Sequence, residues 1–174
     1  MGQHLSCPHF FNTVGTAFKN NSTIVKFNEY ERFTKNKTIV NSAFLRCSAL
    51  QQIKLPNTTT TLGYSAFQEC SSLQGIELPS TLTKIEYSAF QSCTSLSVLD
   101  IPASVTTIAA WIAMNCRCKI IFRSTTVPAG MPNSSEMSRS LGTGNVYVPD
   151  ESVDLYKTAW SRIASKIKPL SELS

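Results

Sequence analysis

The chain has 174 residues, 42% of them apolar and only 16% charged, with a net charge of +5. That length suits one domain. The basic residues are scattered, without runs or interleaved aromatics, which argues against a nucleic-acid partner, and no apolar stretch reaches the ~18 residues of a membrane span. A Ser/Thr-rich, weakly charged chain fits a solenoid or a secreted module better than a cytosolic enzyme.

The first segment, MGQHLSCPHFFNTVG, has no basic region leading a long apolar run, so it does not read as a secretory signal. Gly2 and Ser6 satisfy the M-G-x-x-x-[ST] acylation pattern, which so short a motif meets by chance. His4, Cys7 and His9 put two imidazoles and a thiol together, but a fourth ligand is missing, so no metal site is assigned. Phe10, Phe11 and Val14 are apolar enough to make residues 1–16 a partial cap.

From residue 43 the chain repeats itself in steps of 23, and a first copy at Ala17-Phe18 lies 26 residues before Ala43-Phe44, so that coil carries three extra residues. Cys47, Cys70, Cys93 and Cys116 fall in one column; Phe44, Phe67 and Phe90 in another; Ala43, Ala66, Ala89 and Ile112 in a third. The others are Leu50–Leu73–Leu96, Ile53–Ile76–Leu99–Phe122, Leu55–Leu78–Ile101, Pro56–Pro79–Pro102 and Leu62–Ile85–Ile108. A weaker copy holds Ala17, Phe18, Ile24, Phe27 and Ile39. A period in the range of about 20–29 residues with spaced Leu predicts a leucine-rich solenoid. One unit cannot bury its apolar side alone; stacked units turn each column into a strip of core. The fold class expected is therefore an α/β, β-rich repeat: a leucine-rich-repeat solenoid of parallel short strands, about four coils over residues 17–123, with a C-terminal capping helix.

Within the unit from Ser65, Ile76 and Leu78 are expected inward and Gly75 and Glu77 outward. Pro79 ends that strand, and Leu82 to Ile85 form a second one. Ser88-Ala89-Phe90 leads a turn back to the next strand. Thr58 to Thr61, Thr83, Thr106 and Thr107 are expected on a solvated face. The fourth unit departs, with Trp111-Ile112-Ala113 for Ser-Ala-Phe and Lys119 in a Leu slot, and the solenoid is expected to end there.

The stretch 124–174 reads as a loop and a strand–helix cap. KIIF before it and NVYVP within it are strand-like; residues 124–144 look like a long loop, either mobile or functional. Val153, Tyr156, Trp160, Ile163 and Ile167 fall on one face of a helix. Asp150 is expected to cap its start, Lys166 and Lys168 to favour its C-terminal dipole, Pro169 to stop it, and Trp160 to anchor it.

Chemistry is sparse. The periodic cysteines read as small buried side chains: stacked thiols point in parallel and offer neither a disulfide approach nor tetrahedral convergence. Cys118 is expected to be the exposed thiol of Cys116-x-Cys118. No nucleophile elbow or P-loop occurs, so no enzyme, cofactor or catalytic residue is assigned. The sequons at Asn20, Asn21, Asn36, Asn57 and Asn133 matter only in a eukaryotic secretory route. Lys54, Glu77 and Asp100 share an outward column and are expected to form a charge ladder.

The unit SAFQECSSLQGIELPSTLTKIEY (Ser65–Tyr87) resembles the leucine-rich repeat of BspA-like bacterial surface proteins, A-F-x-x-C-x-x-L-x-x-I-x-(I/L)-P, over about residues 17–125. FNEYERFT is similar to sequences of that family, and the tail NVYVPDESVDLYKTAWSRIASKIKPL resembles the C-terminal cap of members from Bacteroides-like gut bacteria. The resemblance implies a secreted or cell-surface module, expected as a monomer, that binds a protein ligand in adhesion to host or neighbouring-cell components. The residues expected to carry it are Gln52, Lys54, Gly75, Glu77, Val98 and Asp100, one ribbon along the strand face. The alternative is a structural spacer of a larger surface protein.

Overall fold

Each repeat unit lays down two short strands joined by a tight corner, and the units stack in parallel. The computed structural model describes residues 18–23, 26–28, 37–131 and 137–173. In chain order the strands are β1 (Lys26–Asn28), β2 (Thr38–Ile39), β3 (Gln52–Lys54), β4 (Thr61–Leu62), β5 (Gly75–Glu77), β6 (Lys84–Ile85), β7 (Val98–Ile101), β8 (Thr107–Ile108), β9 (Lys119–Phe122), β10 (Val146–Val148) and β11 (Ile167–Pro169). Two helices, α1 (Met137–Ser140) and α2 (Val153–Ala159), lie near the C-terminus.

The strands form three parallel sheets, ordered β1-β3-β5, β2-β4-β6-β8 and β7-β9-β10-β11. Register follows the sequence columns: Ile53 lies opposite Ile76, and Leu62 opposite Ile85 opposite Ile108. Between the strand rows, like side chains meet like. The rings of Phe18, Phe44, Phe67 and Phe90 stack nearly parallel, with successive centroids 5.3, 5.2 and 5.5 Å apart. Ala43, Ala66 and Ala89 are fully buried beside them, as is Ile112, which continues their column.

The corner works by alternation. Ser65, Phe67 and Glu69 donate their N–H groups to Tyr87, Ala89 and Gln91 of the next coil, while Ala66, Gln68 and Cys70 donate back three residues within their own coil. To aim every second N–H outward, two residues per corner take left-handed backbone: Ser42, Ser65, Ser88 and Trp111 in one column, Arg46, Glu69, Ser92 and Asn115 in the other. Hydroxyls add a further set of ties. Thr60, Thr83 and Thr106 each donate to a carbonyl one coil back, as Ser104 does to Leu82. This explains the Ser/Thr richness better than solvation of an outer face. Thr59 is not on that face at all: it is fully buried, in the slot that Leu82 and Val105 fill in the next coils.

Three expectations fail around the fourth coil. The step there is 21 residues, so Leu99 faces Ile120, and Phe122 faces Ile101 instead of Leu99. With two residues fewer, Cys118 comes just before β9, about where Leu50, Leu73 and Leu96 precede the earlier strands, and is fully buried instead of exposed. The parallel sheet also does not stop there, since β10 and β11 add on behind β9.

The helix over the last segment is shorter than its apolar spacing suggests. It ends at Ala159, where Trp160 leaves helical geometry; a 3-10 turn covers Ser161–Lys166, and Ile167 pairs with Val146 in β11. Asp150 does not cap the helix: its Oδ1 accepts the N–H of Ser171 at 3.0 Å, and hydrogen bonding from the Ser171 hydroxyl and then from this N–H holds its carboxyl below the usual range. Lys166 reaches the Gly142 carbonyl and Lys168 pairs with Glu172, so neither serves a helix end. Trp160 is the anchor as expected, 2% exposed and edge-on to Phe122 and Tyr156. Burial pushes the Tyr156 phenol up to about 12, and its O–H donates to Ser124 and Thr126 carbonyls. In the stretch after Ser124, Ala129 bridges to Thr107, and Met131, Ser140 and Leu141 are buried, while Thr125, Thr126, Ser138 and Arg139 are exposed. Gly142 closes it: at φ +69° it sits so near the Cys116 and Ala113 carbonyls that a Cβ would collide with both.

Candidate functional site

The outward face of β3, β5 and β7 is the candidate surface. Pleating exposes Gln52 and Lys54 on β3 and Gly75 and Glu77 on β5, while β7 shows Val98 at 37% exposure and Asp100 half-buried. Gln52 faces Gly75 and Lys54 faces Glu77 in register.

The expected continuous ribbon is split. β5 and β7 belong to different sheets, and the Ser97 N–H to Gln74 carbonyl distance stretches to 3.5 Å, against 3.1 Å for its counterpart from Gln74 to Gln51. At this seam Ile76 and Leu78 are only half-buried, although Ile53, Leu55, Leu99 and Ile101 in the neighbouring coils are buried. Space above Gly75 is open: a Cβ there would touch nothing within 4 Å. The charge ladder is also broken. Asp100 pairs with Arg123, Nε to Oδ1 at 2.9 Å and Nη2 to Oδ2 at 2.6 Å, which raises the guanidinium pKa further. Lys54 and Glu77 join none of the ion pairs among the described residues.

The thiol column is buried. Cys47, Cys70, Cys93 and Cys116 donate S–H to the carbonyls of Phe18, Phe44, Phe67 and Phe90. Burial pushes Cys47 up to about 11 and Cys70 and Cys93 higher still. A Cys116–Cys118 hydrogen bond eases loss of the Cys116 proton and holds that of Cys118. Among the described residues no three His, Cys, Asp or Glu side chains gather to hold a metal ion, and no helix is long and apolar enough to cross a membrane. His4, Cys7, His9, Phe10, Phe11 and Val14 lie outside the described residues.

Sequence reasoning missed a second surface. Tyr64 and Tyr87 fall in one column and are 51% and 45% exposed, with Trp111 at the next corner. The signal was present as a 23-residue step between two aromatics.

No curated protein matches the chain by sequence. Solved structures do resemble it. A leucine-rich cell surface protein from Faecalibacterium prausnitzii A2-165 is 26% identical with a TM-score of 0.56, over 71% of this chain and 32% of that one. The pneumococcal vaccine antigen PcpA is 16% identical with a TM-score of 0.63, over 86% and 41%. A leucine-rich repeat protein of T. pallidum is 20% identical with a TM-score of 0.54, over 83% and 86%. The chain thus spans about a third of the first of these proteins and about two fifths of the second. The profile of the BspA type leucine-rich repeat region matches residues 11–130 in six copies, and with the parallel coils, the 23-residue columns and the corner geometry it places the chain in the BspA type leucine-rich repeat family.

Proposed function

We propose that this protein is a cell-surface or secreted module that binds another protein through the outward face of β3, β5 and β7, in adhesion to host or neighbouring-cell components. The observation that carries the reading is the pair Lys54 and Glu77, two exposed opposite charges in none of the ion pairs among the described residues, on a hydrogen-bonded platform beside the open position at Gly75. Regular stacked backbones make preformed contact surfaces, so little ordering cost is incurred on binding. Its likeness to a cell surface protein from Faecalibacterium supports the location. Binding to immobilised matrix and plasma proteins, with and without Lys54→Glu and Glu77→Lys, tests it. The charge-reversed protein should lose the interaction while keeping its melting temperature; equal binding by both removes this face from consideration.

A second reading, a spacer within a longer surface protein, is favoured by the short stack. The chain covers only 32% of the Faecalibacterium protein, and a stable interface needs roughly 800 Å² from each partner. Absence of any ligand across the same panel would support it.

A further inference from the structure

We propose that Cys116 and Cys118 are a dithiol that closes reversibly into a disulfide, and that this closure loosens the C-terminal cap. The pair breaks the pattern of the repeat. In the earlier coils the column cysteine is followed three residues on by leucine, at Leu50, Leu73 and Leu96. In the fourth coil the shortened step puts a second cysteine about there, two residues on. Leucine fills that slot elsewhere, so apolar packing alone does not select a thiol. Arg117 between the two is exposed while both thiols are fully buried, so the side chains share the inner side. There they meet through a hydrogen bond between the sulfurs.

Reach permits the bond and keeps it reducible. Two residues of extended chain span about 6.6 Å, near the outer limit of about 6.8 Å for the Cα atoms of a disulfide. A ring closed at that limit is strained, and strained disulfides are the labile ones. The hydrogen bond from Cys118 lowers the Cys116 pKa against the opposing effect of burial, so Cys116 is the attacking sulfur. Local opening of this last corner admits a low-molecular-weight disulfide as oxidant. The Cys116 thiolate attacks one of its sulfurs and releases the other as a thiol, which takes up the Cys116 proton. Cys118 then attacks Sγ of Cys116 in the mixed disulfide and releases the second thiol, which takes up the Cys118 proton. The protein gives up two electrons and two protons, and the oxidant becomes two thiols.

The cap feels the change because it rests on the same backbone. The Thr143 N–H donates to the Cys116 carbonyl at 3.0 Å. Gly142 lies against that carbonyl and Gly144 against that of Cys118, each too close for a Cβ. Drawing the two Cα atoms together shifts the carbonyls on which the turn before β10 is seated. Oxidation also removes the Cys116 S–H that donates to the Phe90 carbonyl at 3.1 Å.

A series of reduced and oxidised glutathione ratios tests this on the folded Cys7→Ser protein, which lacks the cysteine outside the described residues. Trypsin cuts after Arg117, so the fragments on either side should stay joined until reduced, while Cys47, Cys70 and Cys93 remain thiols. Excess reduced glutathione should reopen the ring. Amide exchange in β10 and β11 should quicken about tenfold in the oxidised form, as loss of one hydrogen bond does. Cys118→Leu, which restores the residue of the earlier coils, should form no ring and show no change in exchange; if it fails to fold, the fragment map of the Cys116–Cys118 protein decides alone. Glutathione adducts without a ring, a ring that joins Cys93 to Cys116 instead, or no oxidation of the folded protein would each overturn the couple. Exchange in β10 and β11 unchanged by ring closure would overturn its action on the cap.

Discussion

The coils between Lys37 and Cys116 and the segment from Arg117 to Leu173 build parallel sheet by different means. In the coils each buried side chain packs on its own counterpart: phenylalanine on phenylalanine at 5.2–5.5 Å, thiol beside thiol, every corner bonded to the next. In the last segment nothing repeats. β9, β10 and β11 are held in register by Phe122, Tyr156 and Trp160 meeting at angles, by a phenol tied to two carbonyls, and by Asp150 hooked to Ser171. A repeat can propagate indefinitely, so its order comes from copying; an end must cover its neighbour without offering a new edge, and needs side chains that occur once.

The largest expected effects break the two regions separately. Phe67→Ala and Trp160→Ala should each cost about 3–5 kcal/mol, the usual cost of emptying a buried aromatic site. Hydrogen exchange should tell them apart. Loss of Phe67 should loosen the corners that flank it, from Ala43 to Ile112, while β10 and β11 keep their protection. Loss of Trp160 should release β9, β10 and β11 first. Uniform loss of protection in both variants would mean that the chain behaves as one unit and that the contrast between copying and capping has no energetic content.

Proton linkage gives the next effect. The buried thiols of Cys47, Cys70 and Cys93 have folded pKa values raised above the ordinary thiol range. Their contribution is complete below the unfolded value and is lost as pH rises, because the unfolded chain gives up those protons first. Above about pH 9 the stability should fall by about 1.4 kcal/mol per pH unit for each thiol still protonated in the fold. Asp150 works the other way. Its lowered pKa supports the cap above the ordinary carboxylate range, and that support is lost as pH falls. Denaturation midpoints across pH should therefore drop steeply on the alkaline side and weakly on the acid side; a flat alkaline limb would show that the thiols are not held in the core as the structure has them.

The contrast also explains what could be read from the sequence. The columns through Phe44, Cys47, Leu50 and Ile53 were legible because period alone places a residue whose environment is its own copy. Where the copy slips by two residues, the same arithmetic misplaces Phe122 and exposes Cys118, which is in fact buried. In the tail, Val153, Tyr156, Trp160, Ile163 and Ile167 keep helical spacing, yet the chain leaves the helix at Trp160 because Ile167 is needed as a strand partner for Val146. Tertiary pairing overrides local period there. The left-handed corners were invisible, since serine or arginine at such a position carries no glycine-like mark. On the candidate face the outward residues were legible, but the seam between β5 and β7 and the Asp100–Arg123 pair were not.

A milder test asks whether copying can be improved. Thr59 is fully buried in the slot that Leu82 and Val105 fill in the next two coils, and among the described residues its Oγ1 has no hydrogen-bond partner. Valine has nearly the same shape without the hydroxyl. Thr59→Val should raise stability by about 1–2 kcal/mol, the cost of a buried polar atom left unpaired. Chemical denaturation would register this as a higher midpoint at unchanged slope. No gain would mean that the hydroxyl is satisfied in solution, and that the column tolerates threonine as a true equivalent.

The smallest effect lies at the junction of the two regions. Arg123 follows β9 and reaches back to Asp100 on β7, among the described residues the one ion pair joining the last regular coil to the first irregular one. Both side chains are nearly half exposed, so Arg123→Ala should cost no more than about 1 kcal/mol. The value of the experiment is in what Asp100 does once free. If the pair keeps β7 with β9, its loss should let β7 move toward β5, close the seam and protect the half-buried Ile76 and Leu78, seen as slower amide exchange in β5. If exchange in β5 is unchanged, the seam is set by the shortened step between Cys116 and β9, and the two regions meet where the chain length, not the charge, dictates.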